Sequence, residues 1–364
     1  MQTTESLSTH TPARALGVGS EPVEVIDPLR FPGWDCLLAR AGELSFFQSL
    51  AWAKVLHETY GHRPVYFCRF NNGSLEELLP VMEVASVWTG RRGVSLPFTD
   101  FCPTLLRPGS GSREICDVAL AHGRQRGWRY FECRNRQSFW EETVPSVSFL
   151  GHIVELQADE GVLFQRLESA MRRAIRKAES SGLEIEFGQT SESVRTYYGL
   201  HCLTRARHGV PPQPIQFFDK IAEHVLGNKH GFTVTARLDG RPVASAVFFC
   251  HNHDAIYKFG ASDFAYQHLR PNNILMWAAI KHLAKEGFRS LHMGRTSVAN
   301  DGLRRFKLAF GAREEKIDYF KYDLRKEAFV PDVDRAETWV NHVFRRMPRV
   351  GLRLIGRMLY PRLS

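Results

Sequence analysis

The sequence lacks several patterns that would identify a function at once. No apolar run approaches the roughly 20 residues that a bilayer-spanning helix needs. No two cysteines have the CxxC spacing of a zinc or redox site, and no GxSxG motif marks a serine nucleophile. These absences argue against an integral membrane protein, a zinc-binding protein and a serine hydrolase.

The cysteines are few, scattered and odd in number, since the 364 residues contain 7 of them. This usage argues against a disulfide framework and favours reduced thiols in a cytosolic protein. We expect most of them to act as small apolar packing residues. They are Cys36, Cys68, Cys102, Cys116, Cys133, Cys202 and Cys250.

The positive charge of the chain is concentrated at its C-terminal end. The net charge is +9, but residues 345–364 hold six arginines and no acidic residue, so the remainder is only mildly basic. In the segment 351–360, Leu352, Ile355 and Leu359 share one side, with Arg353 and Arg357 spaced by four. This pattern is typical of a helix that lies on an anionic membrane, or of a helix that packs against its own protein. The sequence leaves both interpretations open.

The length suits two domains better than one. Residues 1–22 are polar, without the basic and apolar regions of a signal peptide, and we expect a disordered leader there. The poorly patterned residues 134–150 contain Pro145 and mark the expected boundary. We therefore predict a first domain over 23–148, a second over 149–325, and a basic amphipathic tail over 326–364.

Helical and strand patterns alternate along both predicted domains, which indicates an α/β fold. Asn72-Gly73 separates two apolar runs and predicts a β-hairpin, while residues 46–60 have helical spacing that ends at Gly61. Residues 243–250 are almost continuously apolar, as in a central strand that is buried on both faces.

The stretch from Leu291 to Gly311 combines a short strand, a polar loop and a helix that opens near Asp301, the predicted N-cap. On this helix Leu303, Phe306, Lys307 and Phe310 form one stripe, and only Lys307 is charged. A lysine in an apolar stripe either extends to solvent along its stem or points into a cavity as a cationic site. Its position near a helix N-terminus suits a phosphate-bearing donor.

The run GLRRFKLAFGA in this stretch resembles the FK…FG signature of the FemAB-like branch of the GNAT acyltransferase superfamily. The runs SLPFTD, MRRAIRKAE and RHGVPPQP are also similar to sequences of that branch. The resemblance covers about residues 40–323, most specifically 270–311. It implies two tandem GNAT-like domains with mixed sheets, in which two neighbouring strands splay apart to admit an acyl donor. It further implies transfer of amino acids from charged tRNA onto peptidoglycan precursors, or related acyl transfer in exopolysaccharide synthesis.

The sequence of the loop at residues 267–273 bears on the identity of the acyl donor. Coenzyme A-dependent GNAT enzymes carry a Q/R-x-x-G-x-G/A loop whose glycines let backbone N–H groups approach the pyrophosphate. The corresponding run here, residues 267–273, reads QHLRPNN and has no glycine. We expect the donor to be aminoacyl-tRNA or acyl-CoA, with no bound cofactor and no metal, and the missing glycines favour the tRNA.

Four residues are predicted to be catalytic. Following the resemblance, Lys307, helped by Arg295, would hold the terminal phosphate of the donor or stabilise the developing oxyanion. The sequence does not identify the proton acceptor, and the alternatives are the substrate's own phosphate, Asp100 and His208. Asp100 could instead stabilise a turn, and His208 could instead be a cation at a helix C-terminus.

Six further residues are predicted to bind substrate. Lys258 would line the opening between the splayed strands, although it could also be an edge-strand charge. The others are polar or cationic residues of the arginine-rich helix, the RPNN loop and the FK helix, and their alternative is a solvated surface. They are Arg172, Arg176, Asn272, Arg304 and Arg305.

These patterns predict a cytosolic acyl- or aminoacyltransferase acting on an amine of a peptidoglycan or exopolysaccharide precursor, with a possible anionic membrane surface as partner of residues 345–364. One alternative is an acetyl-CoA-dependent enzyme that modifies sugars or lipids. The other is a non-catalytic tandem-GNAT scaffold in polysaccharide biosynthesis.

Overall fold

A computed structural model describes residues 21–42, 44–86, 89–106, 113–135, 143–334 and 339–362. Most of the predicted leader lies outside these residues. The strands form one mixed sheet in the order β1-β2-β3-β4-β5-β12-β6-β11-β10-β9-β8-β7, with β13 paired to β12. They are β1 (Glu24–Ile26), β2 (Arg63–Asn71), β3 (Ser74–Ser86), β4 (Gly90–Val94), β5 (Trp128–Asn135), β6 (Val147–Glu155), β7 (Leu183–Gly188), β8 (Gly231–Leu238), β9 (Arg241–His251), β10 (Asp254–Ser262), β11 (Ser290–Ser297), β12 (Arg313–Asp323) and β13 (Ala328–Phe329).

The helices pack on this sheet and connect its strands. Those of the first half are α1 (Trp34–Arg40), α2 (Leu50–Tyr60) and α3 (Arg113–Arg126). The later ones are α4 (Glu160–Arg166), α5 (Ser169–Glu179), α6 (Ser191–Arg207), α7 (Ile215–Ile221), α8 (Pro271–Lys285), α9 (Asp301–Leu308), α10 (Trp339–Arg345) and α11 (Arg349–Leu359). Among the described residues, none of the helices is both long and apolar enough to cross a bilayer.

Several local predictions hold because short-range chemistry decides them. The hairpin of β2 and β3 turns at Asn72 and Gly73, whose φ angles of 49° and 76° are those that this turn requires. Gly61, with φ of 71°, ends α2. The prediction of one continuous helix over 46–60 is wrong, because Ser49 is extended and caps α2, so that Phe46–Gln48 forms a separate short helix.

The two halves of the chain repeat one unit of structure. In the first half β2, β3, β4, α3 and β5 follow one another, and in the second half β8, β9, β10, α8 and β11 do so. In each unit the first three strands pair antiparallel, and a helix then leads to a parallel partner: β4 with β5, and β10 with β11.

The halves exchange strands at their junction. β6 follows β5 in the chain but pairs with β11, and β12 follows β11 but pairs with β5. β6 and β12 also pair with each other, so the sheet continues without a break across the two halves. The predicted boundary between residues 148 and 149 falls inside β6.

The halves also share an aromatic core. The ring of Phe249 on β9 lies 4.7 Å from that of Phe46 and 5.6 Å from that of Trp52. Trp52 is fully buried and also meets Phe217 of α7, at 5.9 Å between ring centroids. Aromatic pairs at these distances add to the free energy of burial, so the relative position of the two halves is fixed by packing as well as by the sheet.

Candidate active site

A gap between two parallel strands forms the floor of the candidate site. β10 and β11 pair only at Asp254–Ile256 and Ser290–His292, although both strands continue well beyond. Just past this point both strands are irregular, and Gly294 of β11 takes a φ of 72° that glycine adopts without steric cost. The strands therefore diverge, as the resemblance predicted for an acyl-donor cleft.

A cavity of about 480 Å³ lies beside this gap. It is built by the loop that follows β4, by the C-terminal part of α6, by β10 and β11, and by the C-terminal end of the chain. Its lining includes Phe98, Thr99, Asp100, Arg134, Tyr197, His201, Thr204, Arg205, His208, Gln213, Lys258, Phe259, Gly260, Arg295 and Tyr360. Four of the predicted site residues are therefore brought together: Asp100, His208, Lys258 and Arg295.

Asp100 and Lys258 form an ion pair at the centre of the site. The ammonium of Lys258 lies 2.9 Å from Oδ2 of Asp100, and the two side chains are only 5% and 16% exposed. The ammonium also lies 5.3 Å from the ring centroid of Phe47 and 5.1 Å from that of Phe259, a cation–π arrangement. Since the side chain of Lys258 is buried and its ammonium is paired with Asp100, the alternative of an edge-strand charge is wrong.

Burial and neighbouring charges shift the pKa of both members of this pair. Burial alone would raise the pKa of the Asp100 carboxyl, but the charges of Lys258, Arg295 and Lys307 outweigh it and the pKa is lowered. Burial lowers the pKa of Lys258, and Asp100 opposes this change. Asp100 is thus a carboxylate at neutral pH, suited to hold an amine or hydroxyl of a substrate.

Arg295 lies on an aromatic shelf next to this pair. Its guanidinium carbon is 4.3 Å from the ring centroid of Phe149 and 5.3 Å from that of Tyr319. The hydroxyl of Tyr319 donates to the backbone carbonyl of Asp100 at 2.7 Å. The shelf orients an exposed guanidinium at the cavity, where it can bind phosphate or carboxylate.

Lys307 lies behind the cavity. Its side chain is turned inward and is 2% exposed, and the ammonium donates to the carbonyls of Gly294 at 2.8 Å and of Arg295 at 3.1 Å. Burial lowers its pKa to about 8, although Asp100 opposes the change. Lys307 therefore fixes the irregular part of β11 that carries Arg295 and puts a positive charge behind the gap.

The helix that carries Lys307 differs from the predicted one. The N-cap is Asn300, whose side chain accepts from the backbone N–H of Leu303 at 3.0 Å, and Asp301 is the first helical residue. The predicted apolar stripe is wrong at Leu303, which is 37% exposed, and Lys307 is the buried residue of α9. Phe310 is buried but lies beyond the end of the helix.

Two histidines of α6 and its C-terminus line the cavity. His208, the predicted proton acceptor, is exposed, and its Nε2 accepts from the guanidinium of Arg207 at 3.0 Å. His201 was not predicted; it is buried, and its Nδ1 lies 3.1 Å from the hydroxyl of Tyr197. Burial holds the pKa of His201 well below its usual range. The spacing of seven residues from His208, two helical turns, was the available signal for it.

The other predicted substrate-binding residues lie outside this cavity. Arg172 donates to the carbonyls of Gln165 and Leu167, each at 2.9 Å, and so caps the end of α4. The guanidinium of Arg176 lies 5.6 Å from the ring centroid of Phe164.

The remaining three also have partners within the protein. Arg304 forms a two-pronged pair with Glu314 at 2.7 and 3.1 Å. Arg305 donates to the carbonyl of Asp301 at 3.3 Å, and the amide of Asn272 donates to Ser262 at 3.3 Å. These contacts account for them as structural residues, and a role in binding a large donor stays a prediction.

Two further cavity residues that the sequence did not predict, Arg134 and Arg205, come from distant segments. Arg134 of β5 pairs with Glu132 at 2.7 Å and lies 5.3 Å from the ring centroid of Tyr319. Arg205 of α6 donates to the hydroxyl of Tyr360. With Lys258 and Arg295 they make the cavity predominantly cationic, with Asp100 as the acidic residue that lines it.

Comparison with known proteins identifies the second half and the fold. Residues 165–308 match the family of acetyltransferase (GNAT) domains. No curated protein matches the chain. The crystal structure of FemX is similar, with a TM-score of 0.64 and 12% identity over 78% of this chain and 94% of FemX. The structure of L-PGS from Bacillus licheniformis is similar at a TM-score of 0.52 and 12% identity, over 94% of this chain and 98% of that one.

These likenesses confirm the predicted fold, two tandem GNAT-like units with a mixed sheet, and the resemblance to the FemAB-like branch at the level of fold. The matched domain contains Lys258, Arg295 and Lys307, whereas Asp100 is contributed by the other half.

Proposed function

We propose that this chain, which carries an acetyltransferase (GNAT) domain at residues 165–308 and is similar to FemX in fold, transfers an acyl or aminoacyl group to an amine of a peptidoglycan or exopolysaccharide precursor. The observation that carries the proposal is the cationic cavity beside the β10–β11 gap, with the Asp100–Lys258 pair at its centre. The gap suits the donor, and the cavity suits an acceptor that carries phosphate or carboxylate groups.

The transfer needs a neutral amine, a polarised carbonyl and a stabilised oxyanion. The amine attacks the ester or thioester carbonyl, a C–N bond forms, and the C–O or C–S bond to the donor breaks. Asp100 would hold the amine, whose proton passes to the leaving group directly or through a base such as His208. The positive charges of Lys258, Arg295 and Lys307 would stabilise the anion that develops on the carbonyl oxygen.

The donor is a substrate of this reaction and not a bound cofactor. We propose aminoacyl-tRNA in preference to acyl-CoA, because the first turn of α8 offers few free backbone N–H groups: Pro271 has none, and that of Asn273 donates to the carbonyl of Arg270 at 3.0 Å. Arg270 there has a φ of 62°, Pro271 opens the helix, and the amide of Asn273 lies 3.0 Å from the sulfur of Met171. Backbone N–H groups at this turn are less open to a pyrophosphate than in a glycine loop.

Acetyl-CoA-dependent transfer to a sugar or lipid is the second candidate, and the match of residues 165–308 to acetyltransferase domains favours it. Purified protein would be offered charged tRNA, acetyl-CoA and acylated carrier protein in turn, with product masses as the measurement. A product formed only from charged tRNA supports the first proposal, and one formed only from acetyl-CoA supports the second. A complete lack of product would favour the non-catalytic scaffold.

We further propose that the functional division of the chain follows the predicted boundaries, with 23–148 contributing Asp100 and 149–325 contributing the cleft. We also propose that the reaction takes place in the cytoplasm, at the inner face of the membrane. The basic segment 345–364 supports that location, because six arginines without an acidic residue suit an anionic surface.

A further inference from the structure

The C-terminal helix α11 is part of the cavity wall. Leu352 and Gly356 of this helix are buried, and the carbonyl of Pro212 lies so close to Gly356 that no Cβ would fit. Just beyond the helix, Tyr360 is buried, lines the cavity and donates to the carbonyl of Pro211 at 3.2 Å. The alternative of a helix that packs on its own protein therefore describes this inner face. The prediction that Leu359 shares one side of the helix with Leu352 is wrong in the sense that Leu352 is buried whereas Leu359 is 37% exposed.

The connection continues on both sides of Tyr360. Arg205 of α6 donates to the hydroxyl of Tyr360. The ring of Tyr360 lies 5.8 Å from that of Phe98, in the loop that carries Asp100. The guanidinium of Arg92 donates to the carbonyl of Arg362 at 2.5 Å. The end of the chain is thus tied to the first half, to α6 and to the cavity at once.

The outer face of the same helix is apolar and exposed. Val350, Leu354 and Met358 are 70%, 59% and 62% exposed and are spaced by four residues, so they form one stripe. Single exposed apolar residues are ordinary, but an aligned stripe is not. Arg349 and Arg357 each precede a member of the stripe by one residue and lie beside it, while the guanidinium of Arg353 packs over the ring of Tyr198 at 5.5 Å.

We propose that the outer stripe of α11 rests on an anionic lipid surface while the inner face of the helix holds Tyr360 in the cavity wall, so that the cavity works at that surface. This deepens the proposed function, on which the role of the cavity depends, and it makes a lipid-linked acceptor the expected substrate class. Apolar side chains enter the boundary of head groups and acyl chains, and flanking arginines bind anionic head groups.

Charge argues against a second copy of the chain as the occupant of this face. In a symmetric dimer the same patch meets itself, so the arginines of one helix would face those of the other. Like charges across an interface are unfavourable, and residues 345–364 offer no acidic side chain to offset them.

The test is sedimentation of the full-length protein with vesicles of phosphatidylcholine alone or mixed with phosphatidylglycerol. We expect binding to the mixed vesicles only, and a loss of about tenfold or more in Leu354→Glu with Met358→Glu, because a charge replaces each inserted group. Val144→Glu is the matched control, since Val144 is 82% exposed and lies in another part of the chain. Thermal unfolding of both variants should match that of the wild type, because all three side chains are exposed.

Three results would overturn the proposal: no binding to phosphatidylglycerol vesicles, an equal loss in Val144→Glu, or a dimer in light scattering that Leu354→Glu with Met358→Glu dissociates. Vesicle binding requires no turnover. A failure here therefore leaves the proposed transfer reaction standing, and an absence of transfer leaves vesicle binding measurable.

Discussion

The two halves of the molecule repeat one pair of parallel strands, but only the second pair, β10 and β11, separates beside the described cavity. In the first half the chain after β4 stays on β5, since the N–H of Ser95 donates to the carbonyl of Glu132 at 2.8 Å and that of Cys102 to the carbonyl of Arg134 at 2.6 Å. The ring of Trp128 fills the space over Gly93 and donates from Nε1 to Glu83 at 2.7 Å. In the second half β10 and β11 diverge and nothing comparable joins them past His292 among the described residues.

This difference shows that the two repeats of the fold have different roles at the site. The loop that follows β4 along β5, residues 95–102, also delivers Asp100 to the gap between β10 and β11. Its conformation is costly, because Leu96 and Phe98 have φ angles of 53° and 60°, and a non-glycine residue there costs about 1 kcal/mol or more. The first half thus acts as a partner for the site of the second.

The largest expected effect is at Lys307. Lys307→Met should abolish transfer, because the positive charge behind the β11 irregularity and its bonds to the carbonyls of Gly294 and Arg295 are both lost. The measurement is product formation per folded molecule, with folding followed by circular dichroism. Lys316→Met, at a lysine that is 61% exposed, is the control and should retain full activity. Wild-type turnover in Lys307→Met would remove this residue from the mechanism.

Asp100→Asn should lower kcat/KM by about a hundredfold or more, because the amide can no longer balance the charges of Lys258 and Arg295 or hold an amine strongly. Glu160→Gln breaks a surface pair with Lys281, whose contact distance is 3.3 Å, and should change kcat/KM by less than about twofold. Equal effects in the two variants would contradict a special role for the pair between the halves.

Activity should fall as the pH rises through about 8, up to about tenfold per pH unit, because burial lowers the pKa of Lys307 to about 8 and its ammonium is then lost. Stability moves the other way. Between about pH 8 and pH 10.4 the lysine binds more protons in the unfolded state than in the folded state. Its contribution to the free energy of unfolding therefore increases as the pH rises. A pH–rate profile should show the decline, and chemical unfolding of the wild type and Lys307→Met should show the stability difference.

Trp128→Ala should reduce the free energy of unfolding by about 3–5 kcal/mol, because it leaves a cavity over Gly93 and removes one hydrogen-bond partner of Glu83. Activity per folded molecule should change little, since Trp128 does not line the cavity. Denaturant unfolding together with single-turnover rates makes the comparison. A variant of normal stability that is inactive would place catalysis in the first half instead.

Short-range features of the fold were predictable and long-range ones were not. The Asn72–Gly73 turn and the end of α2 at Gly61 follow from backbone preferences that act within a few residues. The Asp100–Lys258 pair joins positions 158 residues apart, and no periodicity reports such a contact. The exchange of β6 and β12 and the place of Tyr360 in the cavity wall depend in the same way on how the halves meet. The exposure of Leu303 was not predicted, because the apolar pattern indicates a buried leucine whereas α9 buries Lys307.

The most direct test of the central claim is amide hydrogen exchange of the full-length protein with and without bound donor, using a non-hydrolysable aminoacyl-tRNA analogue and, separately, acetyl-CoA. If the gap between β10 and β11 receives the donor, protection should appear in residues 257–262 of β10 and 293–297 of β11. Protection confined to residues 90–102 and 128–135 would show that the donor binds at β4 and β5 instead, and would contradict this account.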